Sequence, residues 1–284
     1  MHAAVTPEHL PQSSCSGSGV RVGVFDSGLG GLSILRAIRA ALPAADLLYV
    51  ADSGHAPYGE RDEAFILARS LRISHFLVAQ GVDALVVACN TATAAAVHAL
   101  RAEWPDLPIV GVEPGVKPAV ALSRNHRVGV MATPRTLASD KFQQLVQRHG
   151  HEAQVTLQPC PGLAKAIEGG DLSAPSVLAL VDSFTAPLKA AGVDTVVLGC
   201  THYPFVAPAI ARAMGPDVQI IDTAEAVARR LVHQLGKAQV PDVSSTPGAA
   251  TGRCRLWSSS EPAHLEQTAR LWLGLDAPAQ PLGC

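Results

Sequence analysis

The stretch GVDALVVACNT at residues 81–91 returns as GVDTVVLGCTH at residues 192–202, 111 positions later. Each copy is a turn glycine, a short β-branched run, and a cysteine followed by small polar residues. Neither run shows the polar alternation of a strand with one wet face, so each reads as a strand covered on both faces. Parallel sheets flanked by helices have this signature.

Outward from this pair the correspondence extends. IVGV at 109–112 meets IIDT at 220–223 at the same offset, and RVGVFDS at 21–27 meets RVGVMAT at 127–133 at an offset of 106. Between them lie DLLYVAD (46–52) and EAQVTLQ (152–158), with Ala-rich helical segments after each run, and all the runs, DVQIID (217–222) included, read as strands covered on both faces. Four strands in one order, twice, predict an α/β fold: two similar parallel-sheet domains related by pseudo-twofold symmetry, with the active site in the cleft between them. The expected division is 20–116 plus 229–284 for the first domain and 117–228 for the second. Residues 1–19 lack a basic segment and an apolar core, so they read as a disordered tail and not a secretory signal. Residues 237–253 read as a long polar loop, CRLW (254–257) as a strand, and 261–274 as a terminal helix with Ser260 as N-cap.

Composition excludes several classes. The chain has 284 residues, 22 basic against 24 acidic, and a net charge of −2. Such a balance offers no excess to neutralise phosphates, which argues against direct nucleic-acid binding. No run approaches the ~18 apolar residues of a membrane span. Six cysteines are too sparse for a disulfide framework. They contain no CxxC pair, and the histidines show no ligand spacing, so no metal site is expected.

Cys89 and Cys200 are therefore the thiols of interest. Both fall at the carboxyl ends of equivalent strands, where open parallel sheets bind ligands. A helix N-terminus there would favour the thiolate. A lone strand-end cysteine is commonly a small buried hydrophobe; two at matched positions point to chemistry. Inverting a carbon centre needs a base on one face and an acid on the other, and two thiols from two similar domains supply both. Asn90 and Thr91 follow the first thiol, Thr201 and His202 the second. Asp26 and Ser27 end the first strand, where Asp26 could orient a substrate ammonium, assist a thiol, or cap a helix. In HAPYGER (55–61), Pro57 and Gly59 form a turn, which is either an ordinary surface turn or one from which the Tyr58 hydroxyl donates to a carboxylate. Glu113 ends the fourth strand and could face the cleft or solvent. Cys160, between two prolines, reads as structural.

Read together, VGVFDSGLGGLSILRAI (22–38), ADSGHAPYGER (51–61), VVACNTATA (86–94) and VVLGCTHYPF (196–205) resemble, in order, the four main motifs of the glutamate racemases of the aspartate/glutamate racemase family. The resemblance runs over about residues 20–235. It implies interconversion of L- and D-glutamate without a cofactor, supplying D-glutamate for peptidoglycan in the cytoplasm. It implies Cys89 and Cys200 as the acid/base pair, Cys89 acting on the D-isomer and Cys200 on the L-isomer, assisted by Asp26 and His202. Substrate contacts are implied for Asp26, Ser27, Tyr58, Gly59, Asn90, Thr91, Thr201 and His202, and an auxiliary role for Glu113. A homodimer is the expected assembly, with no membrane partner. The alternatives are a related aspartate or hydantoin racemase, and an additional gyrase-binding role known in some members.

Overall fold

The computed structural model describes residues 19–236 and 251–283. The tail expected over 1–19 and the loop over 237–253 lie almost wholly outside them.

Two parallel sheets form the frame. The first contains β1 (Arg21–Asp26), β2 (Asp46–Ala51), β3 (Ala84–Val87) and β4 (Ile109–Gly111). It is extended by β9 (Cys254–Ser258) and β10 (Ala279–Pro281), giving the order β10-β9-β2-β1-β3-β4. The second contains β5 (Arg127–Ala132), β6 (Gln154–Pro159), β7 (Thr195–Leu198) and β8 (Gln219–Ile221), in the order β6-β5-β7-β8. The repeated order 2-1-3-4 bears out the duplication read from sequence. The match reaches the turns: Gly81 and Gly192, which open the two copies of GVD, both take positive φ (73° and 68°), where a side chain would be strained.

Helices cover the sheets. α1 (Leu32–Ala41), α2 (Glu63–Ala79), α3 (Asn90–Glu103) and α11 (Pro262–Leu273) pack on the larger sheet. α4 (Val116–Leu122), α5 (Pro134–Ala138), α6 (Asp140–His149), α7 (Leu163–Glu168), α8 (Pro175–Ala190) and α9 (Ala207–Met214) accompany the smaller one. α3 forms because an Ala-rich run repeats its small apolar residues at helical spacing. Ala92, Ala96 and Leu100 are fully buried against β3 and α2. α10 (Ala224–Gly236) returns to the larger sheet, placing Ala224, Val227, Ala228 and Leu231 in the core with Leu32 and Leu35 of α1. The expected boundary at 228/229 falls inside this helix.

Three local expectations change. β6 and β8 are not covered on both faces, because they are the edges of the smaller sheet and keep exposed or half-buried side chains. The terminal helix is capped at Glu261 and not Ser260, since Pro262 occupies its first turn, where a missing N–H costs nothing. β10 has no counterpart among the expected strands. Its Pro281 is compatible with a strand because β10 is the outer edge of the larger sheet.

Candidate active site

A cavity of about 230 Å³ lies where the carboxyl ends of the two sheets face each other. Its size is near the lower end of small-ligand sites, about 300–1,000 Å³. Cys89 and Cys200 both line it, one from each half, and both are buried.

The two thiols reach the cavity differently. β3 ends at Val87, and Cys89 is the N-cap of α3, accepting from the Ala92 N–H at 3.4 Å. Its Sγ also lies 3.7 Å from Ser27 Oγ. Burial pushes the Cys89 thiol well above the usual range, and the nearby Asp26 charge adds to this, against the pull of the two hydrogen bonds. The thiol is therefore the resting form. Cys200 follows β7 by two residues, but a 3₁₀ turn (Tyr203–Val206) comes before α9, so no helix N-terminus stands beside it. Its polar neighbour is His202, with Nδ1 3.6 Å from Sγ. The expectation of a matched helix start after each thiol thus holds only for Cys89.

His202 is buried between Cys200 and Glu168, whose Oε1 is 2.8 Å from Nε2. Gly30 N–H also approaches Nε2, at 3.2 Å. One nitrogen cannot accept from Gly30 while donating to Glu168. Burial opposes an imidazolium, but Cys200 and Glu168 outweigh it and hold His202 well above the ordinary imidazole range. Nε2 accordingly donates to Glu168. Burial likewise opposes charge on Glu168, yet His202 and the Leu29 N–H, 2.8 Å from Oε1, keep its carboxyl below the usual value.

Ser27, Tyr58, Gly59, Asn90, Thr91, Thr201 and His202 all line the cavity. Asn90 Nδ2 is buried without a hydrogen-bond partner, as is Ser53 Oγ, which also lines the cavity, so both are available to a ligand. Thr91 Oγ1 lies 3.1 Å from the hydroxyls of Thr133 and Thr136, joining the two halves at the cavity wall.

Three expected residues sit elsewhere or point elsewhere. Asp26 is fully buried behind the lining, accepting from Gly28 N–H (3.1 Å), Gly31 N–H (3.0 Å) and Thr201 Oγ1 (3.3 Å). Burial pushes its carboxyl up, opposed by His202. It thereby holds the loop before α1 and the Thr201 side chain. Tyr58 lines the cavity with its ring, but its hydroxyl donates to Asp52 Oδ2 at 2.5 Å and is not free for a substrate carboxylate. Asp52 also receives Arg69 through Nε (2.9 Å) and Nη2 (2.7 Å), making a buried anchor under the 53–61 turn. Glu113 faces away from the thiols and pairs with Lys141 at 2.8 Å across the two halves. Cys160 is buried, donates to the Gln158 carbonyl at 3.3 Å, and does not line the cavity.

Glu168, Lys165, Ser53 and Thr133 line the cavity without having been singled out from sequence. The duplication held the signal for two of them. The segment after β6 is the counterpart of HAPYGER after β2, and α7 carries Lys165 and Glu168 from it into the cleft.

Fold and site define a two-domain α/β isomerase with one thiol from each half facing a shared cavity. The chain matches the Asp/Glu/hydantoin racemase family over residues 29–231, and it belongs to that family. It is 50% identical over 246 residues to the glutamate racemase of Pseudomonas aeruginosa strain PAO1, covering 87% of this chain and 91% of that one. It is 55% identical over 232 residues to that of Ralstonia nicotianae, covering 82% of each. The crystal structure of glutamate racemase RacE1 from Bacillus anthracis superposes with a TM-score of 0.80 at 31% identity, covering 93% of this chain and 97% of that one. The Escherichia coli glutamate racemase, solved with L-glutamate and the activator UDP-MurNAc-Ala, gives 0.80 at 30% identity, covering 93% and 98%.

Proposed function

We propose that this protein interconverts L- and D-glutamate, with Cys89 and Cys200 as the acid/base pair. The observation that carries the reading is the placement of two thiols, equivalent in the repeat, on one cavity from opposite halves. The glutamate racemases to which the chain is about half identical supply the substrate.

Racemisation requires a proton to leave one face of the α-carbon and another to arrive on the opposite face. Cys200, with His202 at hand to hold the proton charge, takes the α-proton from L-glutamate, and Cys89 delivers its proton to the other face. In reverse Cys89 is the base. The buried thiol of Cys89 ionises on transfer of its proton to the carbanion, and the Ala92 N–H and Ser27 hydroxyl receive the thiolate. Asn90, Ser27, Ser53, Thr91 and Thr201 supply neutral hydrogen-bonding groups around the two substrate carboxylates. Asp26 acts by fixing the Gly28–Gly31 loop and Thr201, and Glu113 by bridging the halves. The chain itself provides both proton-transfer groups.

The division we propose is residues 20–116 with the segment from α10 onward, against 117–223. We further propose a homodimer, a cytoplasmic location and a role in supplying D-glutamate to peptidoglycan. No helix among the described residues is long and apolar enough to cross a membrane.

The test is to incubate the protein with each glutamate enantiomer and follow optical activity, with solvent deuterium entering the α-position. Cys89→Ala and Cys200→Ala each abolish racemisation; full rate in either overturns the two-thiol mechanism. Turnover of aspartate in preference to glutamate overturns the substrate.

A further inference from the structure

We propose that Lys165 is the substrate-capturing cation of the cleft, selecting an amino acid with a second, distal carboxylate. This rests on the glutamate reading above and names a residue that the two-thiol mechanism leaves idle.

Among the residues lining the cavity only His202 and Lys165 can carry positive charge. His202 is committed on both ring nitrogens, to Cys200 and to Glu168. Lys165 is exposed on α7, and among the described residues it enters no ion pair or hydrogen bond. Glu168, one turn further along the same helix, has its Oε1 taken by Leu29 and His202. The ammonium is thus available at the cavity wall.

The charge balance gives this availability a purpose. Glu168 and His202 cancel each other, Asp26 lies just behind the lining, and the thiols add no positive charge. Glutamate enters as a net anion with two carboxylates and one ammonium. Without Lys165 the cleft would offer such a ligand no net attraction. With it, one uncommitted cation stands at the mouth, offsetting Asp26, in front of walls that carry neutral donors, so a dicarboxylate is drawn in and held by its distal end. The lysine's long stem lets the ammonium follow the incoming carboxylate while remaining hydrated. A residue of this kind affects capture and leaves the proton-transfer groups untouched.

The experiment compares Lys165→Gln, Lys165→Glu and Lys165→Arg with the unmodified chain, measuring kcat and KM for both enantiomers at low and high ionic strength. Lys165→Gln should lower kcat/KM about three- to tenfold at low salt through KM, Lys165→Glu further, and Lys165→Arg should retain it. The differences should shrink as salt is raised, with kcat little changed. Unchanged KM and unchanged salt dependence in Lys165→Gln and Lys165→Glu overturn the proposal, as does an equal loss in Lys165→Arg. An unmodified chain that racemises glutamate while these variants match it would sink the Lys165 role alone. Absence of glutamate racemisation in the unmodified chain would sink the reading beneath it.

Discussion

Glu168 Oε1 lies 2.8 Å from His202 Nε2, and the same oxygen receives the Leu29 N–H from the opposite half of the molecule at 2.8 Å. One carboxylate therefore holds the imidazole beside Cys200 and ties it to the loop that leads into α1. The position of the Cys200 proton partner depends on the closure of the two halves.

Glu168→Gln keeps the shape and removes the charge. Activity should fall about 10²-fold, because His202 loses the group that favours its protonated form. The alkaline limb of the pH–rate profile should move to lower pH for the same reason. Stability follows the linkage. Glu168 has a folded pKa below its ordinary 4.5, so its contribution is present above that value and lost as pH falls through the folded one. His202 has a folded pKa above its ordinary 6.5, so its contribution is complete below 6.5 and lost as pH rises through the raised value. The pair thus stabilises most in the mildly acidic window between those two ordinary values, 4.5 and 6.5, by about 1–3 kcal/mol. Thermal unfolding of both proteins from acid to alkaline pH should show the gap widest there and narrowing at each end. A gap constant across the range would contradict the pairing.

Tyr58→Phe tests a second relationship. The hydroxyl donates to buried Asp52, which burial alone would neutralise but which Arg69 and Tyr58 hold below the ordinary carboxylate range. Removing the donor should cost about 1.5–3 kcal/mol of stability, the range for hydrogen bonds to charged groups. KM should change less than it would on losing a direct substrate contact. A large rise in KM with unaltered unfolding would return the hydroxyl to the substrate.

Gly30→Ala probes the fit between the halves. A Cβ at Gly30 would stand 2.4 Å from His202 Nδ1 and 2.7 Å from Thr201 Oγ1. The imidazole cannot yield without leaving Cys200 or Glu168. Displacing it by about 1 Å should cost some 10²-fold in kcat, as misplaced proton-transfer groups do. Circular dichroism should show the secondary structure kept. Near-normal kcat would mean that the halves separate freely enough for the contact not to matter.

The sequence made the two thiols legible because duplication marked them: Cys89 and Cys200 stand at one register in two copies of GVD. It made Asp26 legible as a strand-end acid, but not the direction of its carboxylate. Gly28 and Gly31 offer two N–H groups from the chain's own next turn, and these capture it. Tyr58 is legible as a turn residue, but not the direction of its hydroxyl, which buried Asp52 in the same segment captures together with Arg69 from α2. Glu168 was missed because α7 is six residues long and ends on an acid before Gly169 and Gly170, as many surface helices do. The return of the chain to His202 and the approach of Leu29 from the other half make that acid a site residue. The repeat register marked which residues stand at the strand ends; the directions of their side chains, and the contacts between the halves, are set by the three-dimensional packing.

The asymmetry between the thiols yields a last prediction. Cys200 has His202 beside it, whereas Cys89 has the start of α3 and Ser27. His202→Asn should therefore impair the step at Cys200 more than the step at Cys89. The ratio of kcat/KM for the two enantiomers will not reveal this, because their equilibrium constant is one and kcat/KM must fall equally in both directions. The partition between the two proton transfers can. With α-deuterated substrates, the isotope effect should grow for L-glutamate, whose α-proton leaves to Cys200, since that transfer becomes the slower step. It should shrink for D-glutamate, whose α-proton leaves to Cys89 before the slowed delivery from Cys200. Isotope effects that change together, or in the opposite sense, would mean either that His202 serves both thiols or that the assignment of thiols to enantiomers is reversed.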